Sequence, residues 1–115
     1  MGNACHWAAR AVSVVTVYVV FADQAEAQSI GRAMVEQRLA ACVNILQPCR
    51  SIYRWEGAIE TGSEVPALFK TTLHQADALI EAISDRHSYS VPAIAVWPIA
   101  KLLAAYGDWV EESVG

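Results

Sequence analysis

From residue 12 to residue 21 the chain is apolar at almost every position, with Val, Tyr and Phe in the majority. Such β-branched and aromatic side chains pack well on a pleated surface and lose rotamer freedom in a helix, so the stretch predicts a first strand, Val12 to Phe21. Asp23 then opens Asp-Gln-Ala-Glu, a variant capping box in which Asp23 accepts from an early helical N–H while Glu26 reaches back. Ile30, Ala33, Met34 and Gln37 recur at three-to-four spacing beside Arg32, Glu36 and Arg38, predicting an amphipathic helix to about Leu39. Alternation returns at Ala41 to Ile45 and continues past Gln47-Pro48 to Ser51-Ile52-Tyr53-Arg54-Trp55, the pattern of one long, bulged second strand. Glu56-Gly57 and Thr61-Gly62 frame a short connection to a third strand, Val65 through Leu73, paired as a hairpin. Thr72 with Gln75 forms a second capping box, and Leu73, Ala76, Leu79, Ile80 and Ile83 give a second helix an apolar face to about Arg86. Pro92 and Pro98 bracket a short strand, Ala93 to Trp97. Leu102 to Glu112 reads as a final helix with Leu103, Tyr106, Trp109 and Val110 inward.

Strand, helix, strand, strand, helix, strand is the split βαβ order of an α+β, ferredoxin-like fold, with both helices on one face of an antiparallel sheet. The other face should be polar, and it is not. Val12, Val14, Tyr18 and Val20 point one way in the first strand while Val15, Val17, Val19 and Phe21 point the other; Ile94 and Val96 likewise stand opposite Trp97 and Ile99. A partner subunit is the simplest cover for the second apolar face, and it would also protect sheet edges. The pattern therefore predicts a homo-oligomer of unspecified number.

Length narrows the organisation: 115 residues at 55% hydrophobic composition suffice for one domain with a core. Residues 11–115 read as that domain and 1–10 as a loose leader. A net charge of -4, with basic residues scattered singly, provides no stripe to neutralise phosphates and argues against nucleic acid. The apolar run 11–22 is too short to span a bilayer, which takes about 20 residues. A signal peptide ending near Ala25-Glu26-Ala27 competes with the strand reading, but only Arg10 precedes the run as a positive charge. Cys5, Cys42 and Cys49 have no CxxC spacing and cannot all pair within one chain, which fits a reducing cytoplasm. No Gly-x-Ser-x-Gly elbow, HExxH or phosphate-cradling loop is present, and a Cys42, Asp85 and His87 nucleophilic set lacks the electropositive, partly exposed surroundings a thiolate needs. The expectation is a non-enzyme.

Leu39-Ala40-Ala41-Cys42-Val43-Asn44-Ile45, Ser51-Ile52-Tyr53-Arg54-Trp55-Glu56-Gly57, Glu64, Lys70-Thr71-Thr72, His87-Ser88-Tyr89-Ser90-Val91-Pro92 and Tyr106-Gly107-Asp108-Trp109 occur in succession. Together they resemble the signatures of the CutA divalent-cation tolerance family. The resemblance implies a ferredoxin-like fold, a tight homotrimer with PII-like architecture, and a role in tolerance of divalent cations, copper above all. This chain departs from the family pattern where Ser88 replaces a proline and Ser90 an acidic residue. Where copper ligation is proposed in bacterial members, the positions of one cysteine and two histidines correspond here to Val19, Arg86 and His87, so one ligand remains. Ala58 follows Gly57 where a lysine is usual.

His87, Cys42 and Glu64 are the metal candidates, since neutral imidazole and thiolate suit copper or zinc. Against this stand a helix-end histidine meeting the last carbonyls and a cysteine serving as a small buried hydrophobe. The resemblance gathers Tyr53, Trp55, Lys70, Tyr89 and Trp109 around an inter-subunit cleft. Aromatics with one lysine there suit a small anionic or planar molecule, as in a PII-like sensor, and equally suit interface anchors. Glu64 and Lys70 are also candidates for a cross-strand or interfacial ion pair.

Overall fold

The computed structural model describes residues 13–115; the expected leader over 1–10, Cys5 and the Val12 start of the first strand lie outside the described residues. The elements are β1 (Val14–Phe21), α1 (Gln24–Glu36), β2 (Cys42–Ile45), β3 (Cys49–Trp55), β4 (Ala58–Thr72), α2 (Leu73–Arg86), β5 (Ile94–Pro98) and α3 (Ala104–Ser113). The result is an α+β fold with an antiparallel sheet in the order β2-β4-β1-β5, while β3 pairs with the first half of β4. β4 is the longest strand, with 15 residues, about 50 Å at the usual strand rise.

α1 and α2 begin where the capping residues stand. The Asp23 carboxylate accepts from Glu26 N–H at 2.8 Å and the Thr72 hydroxyl from Gln75 N–H at 3.2 Å, satisfying helical donors that would otherwise be orphaned. Glu26 reaches back to Ala22 N–H, one residue before the cap, rather than to the cap itself. α1 stops at Glu36, short of the expected Leu39, because Arg38 turns into the left-handed region at φ 60°. Its guanidinium donates to Glu112 O at 3.0 Å and its carbonyl accepts from Gly115 N–H at 2.9 Å, which ties the end of the chain to this turn.

The main core lies between α1, α2 and one sheet face. Val15, Val17, Val19 and Phe21 from β1 and Val65, Ala67 and Phe69 from β4 meet Ile30 and Met34 of α1 and Leu79 and Ile83 of α2, all buried. Each large side chain so buried contributes on the order of 2 kcal/mol. A Cβ at Gly31 would stand 3.1 Å from Val43 Cγ1, so the bare glycine lets α1 settle close to β2.

Several boundaries differ from the sequence expectation. The single bulged second strand is two strands, because Pro48, which has no N–H to give a ladder, sits in the break between β2 and β3. Thr61-Gly62 is not part of a connection: β4 starts at Ala58, since Glu56 and Gly57 at φ 49° and 83° reverse the chain in two residues, the geometry of a tight type I′ hairpin. β5 runs Ile94–Pro98 rather than Ala93 to Trp97. Leu73, Leu103 and Trp109, expected inward, are 53%, 73% and 45% exposed, and Gln37 caps α1 from the exposed side. Leu73 is the first residue of α2 and Leu103 the extended residue that precedes α3. Gly107 and Val110 carry the buried face of α3, which with Tyr106 covers Val14 and Ala41 at one end of the second sheet face. Tyr18, Pro66, Leu68 and Trp97 lie further along that face without full cover.

Candidate functional site

Strand alternation sends Ser51, Tyr53 and Trp55 to one face of the β3–β4 ribbon and Arg50, Ile52 and Arg54 to the other. The register sets Tyr53 across from Glu60 and Cys49 across from Glu64, and directly opposed residues share a face, so the tyrosine and tryptophan rings lie on the carboxylate side. Opposite them stands the loop leaving α2. His87 takes extended backbone at φ -68°, ψ 142° and ends the helix, bringing Tyr89 over the ribbon. Between these walls is a cavity of about 480 Å³, with Tyr18, Tyr53, Trp55, Tyr89 and Glu64 in its lining.

His87 is what holds the loop. Its side chain has no exposed surface, and its ring lies 5.1 Å from that of Phe21 at an interplanar angle of 9°. Nε2 is 2.8 Å from Val20 O, and Tyr89 N–H donates to Nδ1 at 3.0 Å. A carbonyl only accepts, so Nε2 carries the proton and the ring is the neutral Nε2–H tautomer. Tyr89, aligned by this contact, donates its hydroxyl to Glu64 Oε2 at 2.9 Å. Burial, then the hydrogen bond to Glu64 and that carboxylate's charge, push the Tyr89 phenol up to about 12; it remains a donor at physiological pH. Glu26 locks the same corner, accepting from Ala22 N–H at 3.0 Å and from Ser88 N–H at 2.7 Å. Burial pulls its carboxyl upward, but these hydrogen bonds outweigh burial and the net shift is downward.

The remaining predicted residues lie elsewhere. Lys70 is six positions along β4 from Glu64, about 20 Å in an extended strand, so the supposed Glu64–Lys70 ion pair does not form within the chain. Lys70 Nζ instead donates to Asn44 Oδ1 at 2.9 Å beside Cys42, its register partner. Cys42 Sγ lies 3.8 Å from the Tyr106 hydroxyl, whose pKa is pushed up to about 12 by burial and then by the thiol. Trp109 stacks on Tyr106 with centroids 6.0 Å apart. Within one chain the set expected around an inter-subunit cleft lies in two places, Tyr53, Trp55 and Tyr89 with Glu64 at one, and Lys70 and Trp109 with Cys42 at the other. Of the metal candidates, Glu64 and His87 are linked through Tyr89 while Cys42 is remote from them. Among the described residues no three His, Cys, Asp or Glu side chains are grouped to hold a metal ion. Val19 is fully buried in the helix-facing core and Arg86 is exposed at the last turn of α2. Sequence reasoning missed Tyr18 and Glu26 as parts of this corner. A lone polar-tipped aromatic amid valines was the available signal for Tyr18, and the capping box for Glu26.

Residues 15–113 match the family model described as CutA1 divalent ion tolerance protein. The chain belongs to the CutA1 family. The divalent-cation tolerance protein CutA of Thermus thermophilus is 41% identical over 99 residues, covering 86% of this chain and 96% of that protein. A solved structure of the divalent cation tolerance protein from Thermus thermophilus superposes with a TM-score of 0.86 at 40% identity, over 89% of this chain and 99% of that one. The periplasmic divalent cation tolerance protein CutA from Archaeoglobus fulgidus does so with a TM-score of 0.86 at 33% identity, over 89% and 99% of the two chains. The CutA1 family is named for ion tolerance and not for a catalysed reaction.

Proposed function

We propose that this CutA1-family protein acts in the cytoplasm in tolerance of divalent cations, copper among them, as a non-enzymatic homotrimer of ferredoxin-like, PII-like subunits, with residues 11–115 as the single domain. Family membership over residues 15–113 carries the reading. Self-association is supported by the incompletely covered sheet face around Tyr18, Pro66, Leu68 and Trp97, the last 46% exposed, since contiguous exposed apolar surface of this kind marks an association site; the number three rests on the family resemblance. No helix among the described residues is long and apolar enough to cross a membrane.

Direct metal contact, in this reading, is weak or is replaced by an indirect effect. His87 has one ring nitrogen protonated and the other accepting from Tyr89 N–H, and within one chain Cys42 and Glu64 do not converge on it. The test is calorimetric titration of copper and zinc into metal-free protein, with His87→Ala and Cys42→Ala beside the wild type, together with sedimentation. The expected results are a trimer at micromolar concentration and weak or absent metal heats; a stable monomer would refute the assembly. Saturable binding of one ion per subunit, lost in a variant, would establish direct ligation.

A second reading is favoured by the aromatic cavity itself. Its volume lies in the range of small-molecule sites, and it supports a sensor that binds an organic effector there.

A further inference from the structure

We propose that Glu64 of one subunit pairs with Lys70 of the partner subunit, and that this ion pair fixes how the incompletely covered sheet face docks onto a second copy of the chain. The proposal rests on the reading above that the protein self-associates through this face, and it names the contact that sets the register.

β4 carries both charges on one surface. Alternate residues of a strand share a face, so Glu64, Pro66, Leu68 and Lys70 of β4 form one row. Its two ends differ in sign. Glu60 extends the row beyond Glu64 and makes that end negative, while Lys70 makes the other end positive. The cations within the strands are Arg50, Arg54 and Lys70, and both arginines stand on the opposite face of the β3–β4 ribbon. Lys70 is therefore the only strand cation that this face offers to Glu64. Within one chain the two lie about 20 Å apart, and among the described residues neither takes part in an ion pair.

Each side chain is held ready. The Tyr89 hydroxyl donates to Glu64 Oε2 at 2.9 Å, and Lys70 Nζ donates to Asn44 Oδ1 at 2.9 Å. The carboxylate keeps a second oxygen and the ammonium keeps further protons for a partner. Both residues are half-buried, so part of the desolvation that a buried pair requires has already occurred on folding. Between them lie Pro66 and Leu68, with Tyr18 in register with Leu68 and stacked on Trp97 at 4.8 Å. A second copy covering this apolar stretch reaches both charged ends. Docking that set like ends together would bury carboxylate against carboxylate, whereas a head-to-tail contact of identical subunits sets unlike ends together. The pair thus contributes orientation more than affinity.

The test is sedimentation of the wild type, Glu64→Lys, Lys70→Glu and the double exchange, in a fixed low concentration of urea that makes dissociation measurable. Each single reversal faces like charges across the contact and should weaken association about tenfold or more. The double exchange should associate more tightly than either single variant and approach the wild type. Since the two positions are about 20 Å apart in one chain, such recovery arises only between subunits. Glu64→Gln, whose amide oxygen still accepts from Tyr89, keeps the local packing and should flatten the salt dependence of association. Single reversals that associate like the wild type, or a double exchange no tighter than the tighter single variant, overturn the ion pair while self-association stands. A wild type that is monomeric at micromolar concentration without urea overturns the assembly and the pair together.

Discussion

Replacing His87 with Phe isolates the role assigned to its two nitrogens. Phenylalanine preserves the ring, its approximate volume and the stack on Phe21 at 5.1 Å, but leaves Val20 C=O and Tyr89 N–H without the partners they have at 2.8 and 3.0 Å. A buried polar group deprived of its partner costs about 1–3 kcal/mol. Tyr89 is only half-buried, so its N–H belongs at the low end and water recovers part of the loss. The expected destabilisation of His87→Phe is therefore about 2–4 kcal/mol, and His87→Ala should cost roughly 2 kcal/mol more, since it adds a cavity beside Phe21. Urea unfolding at one fixed protein concentration is the assay, because association adds a concentration-dependent term to apparent stability. An unchanged slope with a lower midpoint would report stability alone. A His87→Phe protein within about 0.5 kcal/mol of wild type would refute the claim that the hydrogen bonds, and not merely the ring, hold the loop.

Three further outcomes follow, one from the same corner and two from the hairpin. The Glu26 carboxyl titrates below its ordinary value of 4.5 when folded, so its contribution is full above that value and is lost as pH falls through the folded pKa; Glu26→Gln should flatten the acid limb of a stability-against-pH curve, and an unchanged limb would contradict the assignment. Gly57 sits at φ 83° with no atom within 4 Å of where an added methyl group would stand, so Gly57→Ala should cost about 1 kcal/mol from backbone strain alone, whereas Glu56→Asn, at φ 49°, should be neutral or stabilising by a few tenths of a kcal/mol in thermal unfolding.

Much of the fold was legible because its signals are local. The alternation in β1 and the caps Asp23 and Thr72 act within a few residues, and they fixed the strand and both helix starts. What escaped was set by distant partners. Whether Thr61-Gly62 bends or stays extended depends on its pairing with Ser51 and Ile52, and which way Leu103 and Trp109 face depends on where α3 meets Val14 and Ala41. The candidate site was legible as residue types but not as a set. Tyr53, Trp55 and Tyr89 share a cavity within one chain; Lys70, six places after Glu64 on one strand, could join them only from a neighbouring subunit, and that is a contact no single sequence encodes locally.

The same geometry bears on how metal and ligand readings relate. Val20 O, His87, Tyr89 and Glu64 form a continuous hydrogen-bonded line from β1 to the cavity wall. A metal ion at His87 Nδ1 would displace the Tyr89 N–H, and one at Nε2 would require loss of its proton and of the bond to Val20 O. Either event releases the residue that aims Glu64. Metal ligation at His87 and the hydrogen bond from Tyr89 to Glu64 are thus opposed, each weakening the other by the same factor. Zinc titrations of the wild type and of Tyr89→Phe, which lacks the hydroxyl that holds Glu64, read that coupling directly. Equal zinc affinities in the two proteins would mean that any metal bound leaves the His87–Tyr89 contact untouched.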